Sequence, residues 1–109
     1  MNEKAQKRMV FGYNRNVFNL FEINQAQALA VKLLFELYAD GYSMQAISTK
    51  LELCNIPSPP SPYNNAKWGK QAIAKILSYE RYVGDDDYPQ IIDKELFERV
   101  QEVRQRKAK

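Results

Sequence analysis

Four prolines, Pro57, Pro59, Pro60 and Pro62, crowd into the middle of this 109-residue chain. Proline lacks a backbone N–H and its ring clashes with the preceding turn, so neither a helix nor a central strand runs through them. With the serines, Tyr63 and the asparagines around them, the segment IPSPPSPYNNAK reads as a loop. Any fold must therefore be assembled from two ordered pieces that meet across a long connection.

On the N-terminal side, Val10 to Tyr13 and Val17 to Ile23 read as two short strands, joined by a turn at Asn14-Arg15-Asn16. Asn24 is a good N-cap, and Gln27 three residues on gives capping-box spacing. Ala28, Val31, Leu34 and Phe35 then recur at helical spacing, Leu33 and Leu37 widen the stripe, and Asp40-Gly41 ends it. A second helix starts at Ser43, carries Ile47 and Leu51 on one face, and stops at Asn55 ahead of Pro57.

On the C-terminal side, Trp68 opens a third helix with Gly69 as its N-cap. Ile73, Ile76 and Leu77 form its apolar face, and Lys70, Gln71, Ala74, Lys75 and Ser78 the other. Tyr82-Val83-Gly84 reads as a short strand, Asp85-Asp86-Asp87 as a turn, and Pro89 to Ile92 as an edge strand. Asp93 caps a last helix with Leu96, Phe97, Val100 and Val103 inward and a basic tail, RQRKAK, expected to fray. The expected core is Val31, Leu34, Phe35, Ile47, Leu51, Trp68, Ile73, Leu77 and Phe97. The fold class is α+β, with three to four helices, an embedded helix-turn-helix-like unit, and a small antiparallel sheet built from the N-terminal hairpin and the Val83/Ile91 region. A winged helix-turn-helix, with residues 82–92 as the wing, is the alternative.

Composition narrows the function classes. At 45% hydrophobic and 12% aromatic residues, the chain can bury a core. No stretch approaches the ~20 apolar residues that span a bilayer, and the opening MNEKAQKR lacks the apolar segment of a secretory leader. The absence of histidine and the single cysteine, Cys54, argue against an internal disulfide and a zinc site. A cytoplasmic protein with no metal, no cofactor and no membrane contact is expected. The serines have no nearby base in a chain without histidine, so no catalytic residue is expected. Asp85, Asp86 and Asp87 fit a solvated turn better than a metal site, and Cys54 fits a thiol at a helix end. Phe18, Phe21 and Trp68 are expected to fill the core or anchor loops, while the role of Tyr63 stays open.

The net charge of +3 is modest, but its distribution is uneven. Lys4, Lys7, Arg8 and Arg15 face Glu3 alone in the first sixteen residues, and Lys67, Lys70, Lys75 and Arg81 cluster around the third helix. Two helices, the second amphipathic with a small basic face, make a helix-turn-helix, whose second helix fits the major groove of DNA. The same Lys70, Gln71 and Lys75 equally suit the solvated face of a core helix. The connection is also longer than the ~3–4 residues of a plain helix-turn-helix.

The ordered strings LLFELYADGYS, AISTKLELCNIPSP, KWGKQAIAKILSYERYVGD and IIDKELFERVQ, preceded by Gly12-Tyr13, resemble the recombinase domain of large serine site-specific recombinases, from about Gly12 to Gln101. Asn55 stands where that family usually has glycine, Gly69 where it has Ser or Thr, Glu52 where it has Asn, and Tyr79-Glu80 where it has Asn-Pro. The resemblance implies a DNA-binding domain of such a recombinase, recognising one half of an attachment site during integration or excision of a mobile element. It implies a third helix in the major groove, through Lys70, Gln71, Ala74, Lys75 and Ser78. It also implies an N-terminal arm in the minor groove, with Lys7, Arg8 and Arg15 as its candidates. The domain division it suggests is an arm at 1–9 leading from a catalytic domain, the DNA-binding domain at 10–104, and a basic tail at 105–109. The parent protein would be an enzyme, oligomeric through domains this chain lacks, and the chain an expressed piece or a remnant of a decayed element. Two rivals are a small helix-turn-helix regulator unconnected with recombination and a protein–protein module whose Ile/Leu helix faces dock a partner.

Overall fold

A computed structural model describes residues 10–18, 20–56 and 68–107. Lys7, Arg8, Tyr63 and the proline-rich stretch lie outside the described residues. Among the described residues the elements run β1 (Tyr13–Arg15), β2 (Phe21–Ile23), α1 (Gln25–Ala39), α2 (Met44–Leu53), α3 (Lys70–Leu77), a 3-10 turn (Glu80–Val83) and α4 (Lys94–Lys107). This is the expected α+β fold, with four helices and a two-stranded antiparallel sheet among the described residues.

The helix ends follow the local chemistry. Asn24 Oδ1 accepts the Gln27 N–H, and Ser43 Oγ accepts the Ala46 N–H, satisfying donors that the first turns of α1 and α2 leave over. Both helices stop the same way. After α1, Gly41 (φ +101°) donates to the Tyr38 carbonyl and Tyr42 to that of Leu37; after α2, Asn55 (φ 57°) donates to Glu52 and Ile56 to Leu51. These paired reverse bonds need a left-handed residue, which Gly supplies freely and Asn tolerates. The Gln27 side chain does not close the capping box on Asn24. It accepts instead from the Gly12 N–H at 2.8 Å, while the Asn24 N–H donates to the Gly12 carbonyl, so the hairpin entrance is stitched to the start of α1.

Helix α1 is central and packs against α2, α3 and α4. All nine expected core residues are buried, with Val31, Leu34, Phe35, Ile47, Leu51, Ile73 and Leu77 fully enclosed. Val100 joins them from α4, whereas Leu96 and Val103 are only partly covered. The basic tail is helical through Lys107, its ammonium 4.8 Å from the Tyr38 ring centroid. Cations in the last turn suit the negative end of the helix dipole.

Three local expectations are corrected. The hairpin turn lies not at Asn14–Asn16 but beyond it: the register pairs Tyr13 with Ile23, Asn14 with Glu22 and Arg15 with Phe21. The Asn16 carboxamide oxygen accepts the N–H groups of Phe18 and Leu20, and the Asn16 N–H donates to the Leu20 carbonyl, which fixes the turn there. In consequence Phe18 is not a core residue; it projects from the tip, 76% exposed, beside Val17 and Leu20.

The third correction concerns residues 82–92, which contain no strand and hence no wing. Tyr82 falls in the 3-10 turn, and its carbonyl accepts the N–H groups of both Ile91 and Ile92, a pairing no sheet ladder contains. Asp85 Oδ1 accepts the N–H groups of Asp87 and Tyr88, so the acidic triplet is a turn closed by its own side chain. The hairpin docks on this segment through rings rather than strands. Phe21 stacks on Tyr88 at 4.5 Å and Tyr13 on Tyr82 at 6.1 Å.

Candidate nucleic-acid interface

With eight residues, α3 falls below the ~12–15 at which an isolated helix is even marginal in water. Its position is set by what grips its ends. Gly69, the N-cap, offers no side-chain bond. Trp68, just before it, is 2% exposed and fully engaged. Its N–H donates to Glu52 Oε2 at 3.3 Å, its carbonyl accepts from Ser48 Oγ, and its indole N–H donates to the Ile56 carbonyl at 2.8 Å. The Phe11 ring meets the indole edge-to-face, with centroids 5.7 Å apart. At the other end, Gln101 of α4 donates to the Leu77 carbonyl, and Arg104 in turn donates to Gln101 Oε1.

Held this way, α3 buries Ile73, Ile76 and Leu77 and turns outward the stripe expected from the sequence. Lys70, Gln71, Lys75 and Ser78 are exposed and Ala74 half-buried among them, the small side chain leaving room for a close approach. Among the described residues, neither Lys70 nor Lys75 has an ion-pair partner. With its side chains an α-helix is about 10–12 Å across, close to the ~12 Å width of the major groove of B-DNA. Ser78 Oγ donates to the Lys75 carbonyl at 2.9 Å.

The other candidates stand elsewhere. Arg15 belongs to β1, its guanidinium 4.9 Å from the centroid of the Phe21 ring, so it is part of the hairpin and not of the α3 stripe. Lys7 and Arg8 lie outside the described residues. Beyond Ser78 the surface changes sign: an open groove of about 1010 Å3 between the 3-10 turn and α4 is bordered by Glu80, Asp85, Glu98 and Glu102, against Arg81 and Lys94. Polyanion is thus favoured along Lys70 to Lys75 and opposed past Ser78.

Sequence reasoning missed the grips on α3. Ser48 and Glu52 are four apart, hence on one face of α2, but what they hold lies across the proline-rich connection. Two hydroxyls behind the hairpin are also notable. Burial above all, with the charge of Asp85 and then Tyr88 adding to it, pushes the Tyr13 phenol above the usual tyrosine value. Burial, reinforced by Tyr13 and Tyr79, does the same for Tyr82. Tyr82 donates to the Phe11 carbonyl at 2.7 Å and Tyr13 to that of Pro89 at 2.7 Å, so both are structural donors. Among the described residues, no group of three or more His, Cys, Asp or Glu could hold a metal ion, and no helix is long and apolar enough to cross a membrane.

Comparison with known proteins adds to this geometry. A family model described as Recombinase matches residues 25–107. Among solved structures, the chain is similar to one described as the crystal structure of an LSR-DNA complex, with 20% sequence identity and a TM-score of 0.70. That likeness covers 100% of this chain and 34% of the other, so the chain spans about a third of its length, and at this identity it speaks for the fold. No curated protein matches.

Proposed function

Since the chain belongs to the recombinase family, we propose that it is a DNA-binding domain of a large serine site-specific recombinase, which recognises one half of an attachment site. Helix α3 enters the major groove, with Lys70, Gln71, Ala74, Lys75 and Ser78 toward the DNA. The segment 1–9 follows the minor groove as an arm with Lys7 and Arg8, Arg15 flanks it, residues 10–104 form the binding domain, and 105–109 a basic tail. Bond breaking belongs to another part of a longer cytoplasmic protein that assembles through its other domains. This chain binds and does not cut.

The observation that carries the reading is the α3 stripe: an unpaired basic and amide-bearing face, on a helix braced at both ends, opposite a wholly buried face. The known partner of the similar structure, DNA, points the same way.

The experiment is a titration of labelled duplex half-site by fluorescence anisotropy at several salt concentrations. Binding should be weak, because few phosphates are contacted without the linked domains, and should fall steeply with salt. Tight binding indifferent to salt, or no binding to any duplex, would overturn the reading.

A further inference from the structure

We propose that Ser48 and Glu52 are positioning residues that determine which bases α3 reads, acting through Trp68. This rests on the DNA-binding role above and names what sets its specificity. A reader helix discriminates bases only if its side chains reach the groove at a fixed depth and rotation, because hydrogen bonds weaken steeply with misalignment. In this chain the usual short turn between the two helices is replaced by the connection from Asn55 to Gly69, which cannot by length alone fix the second helix against the first.

Trp68 takes over that task. Ser48 and Glu52, one turn apart on α2, hold the carbonyl and the N–H of the same residue, and the Ile56 carbonyl holds its indole. Two side chains of α2 therefore fix the residue adjoining the α3 N-cap from both sides of its backbone. Glu52 does more than accept a bond. Gly69 supplies no capping side chain, and the carboxylate brings a negative charge to the positive end of α3. The residues nearest this grip are Lys70 and Gln71, the first two of the outward stripe. Loosening it should blur their readout before it affects Ser78, whose end is held separately by Gln101.

Trp68 is the sole tryptophan, so its emission reports directly on the head of α3. Glu52→Ala and Ser48→Ala should each shift that emission to longer wavelength, and Glu52→Ala should lower the ratio of half-site to scrambled-duplex affinity by about tenfold, the discrimination that one well-aligned base contact carries. Glu52→Gln keeps an acceptor and should restore most of both signals, whereas a contribution to overall stability alone would leave the base preference unchanged. Wild-type emission in Glu52→Ala, or a shifted emission with undiminished preference, overturns the assignment. If the wild type itself fails to prefer the half-site, the DNA reading falls and takes the specificity role with it. A wild type that discriminates beside a Glu52→Ala that discriminates equally removes the specificity role and leaves the DNA-binding reading standing.

Discussion

The side-chain amide of Gln101 donates to the Leu77 carbonyl at 2.7 Å, tying α4 to the last turn of α3 across 24 residues of chain. A helix leaves its final carbonyls without internal partners, so this bond satisfies a group that would otherwise depend on water. Gln101→Leu preserves bulk and removes the donor. It should cost about 1–3 kcal/mol in urea denaturation, with an unchanged m-value, if the carbonyl loses its partner without gaining solvent.

Leu51 is fully buried where α2 meets the core. Leu51→Ala should destabilise the fold by ~2–5 kcal/mol, the range for leucine truncation at a site that collapses incompletely. A loss below that range would show that the core relaxes into the space.

Alkaline sensitivity follows from Tyr13 and Tyr82. Their folded values lie above the ordinary 10.0, so each contributes stability that is fully present below that pH. Above it the unfolded chain releases phenolic protons that the folded chain keeps, and stability declines as pH rises. Thermal unfolding should therefore show a melting temperature that is flat in these groups up to about pH 10 and falls beyond it. Tyr82→Phe should reduce that alkaline slope, while lowering stability at neutral pH because the Phe11 carbonyl loses its donor.

The residues proposed to read DNA separate by chemistry. Gln71 can pair with adenine through both N6 and N7, so Gln71→Ala should relax preference at one position at a cost of ~1–3 kcal/mol. Lys75→Ala should weaken binding to all sequences and flatten the salt slope by about one unit. Arg8→Ala should affect A·T-rich flanks most, since a narrow minor groove concentrates negative potential. Footprinting of the wild type and these three variants on a half-site checks all of them together. Wild-type footprints in all three would remove α3 as the reader.

What could be read from the sequence was what is local. Asn24 and Ser43 as caps, Gly41 and Asn55 as stops, and the buried faces of all four helices follow from spacing within a turn or two. The α3 stripe was legible for the same reason. The hairpin register was not. Asn14 and Asn16 look like turn residues, but the strand is fixed by Tyr13 and Phe21 meeting Tyr82 and Tyr88, some seventy residues away. The segment from Tyr82 to Ile92 has strand-like composition, yet one carbonyl takes two successive N–H groups there, and periodicity does not encode that. Phe18 misled because alternation implies a covered face, and a two-stranded hairpin extends past the surface that covers it.

The bond from the Trp68 indole to the Ile56 carbonyl brings the two ends of the proline-rich connection together at 2.8 Å. Closure at its base uncouples the length of the connection from the placement of α3. The entropic penalty of a longer loop grows only logarithmically, by about 0.6 kcal/mol for each doubling. Residues can therefore be gained or lost between Ile56 and Trp68, or a tag or whole domain spliced in there, while the α3 stripe keeps its place.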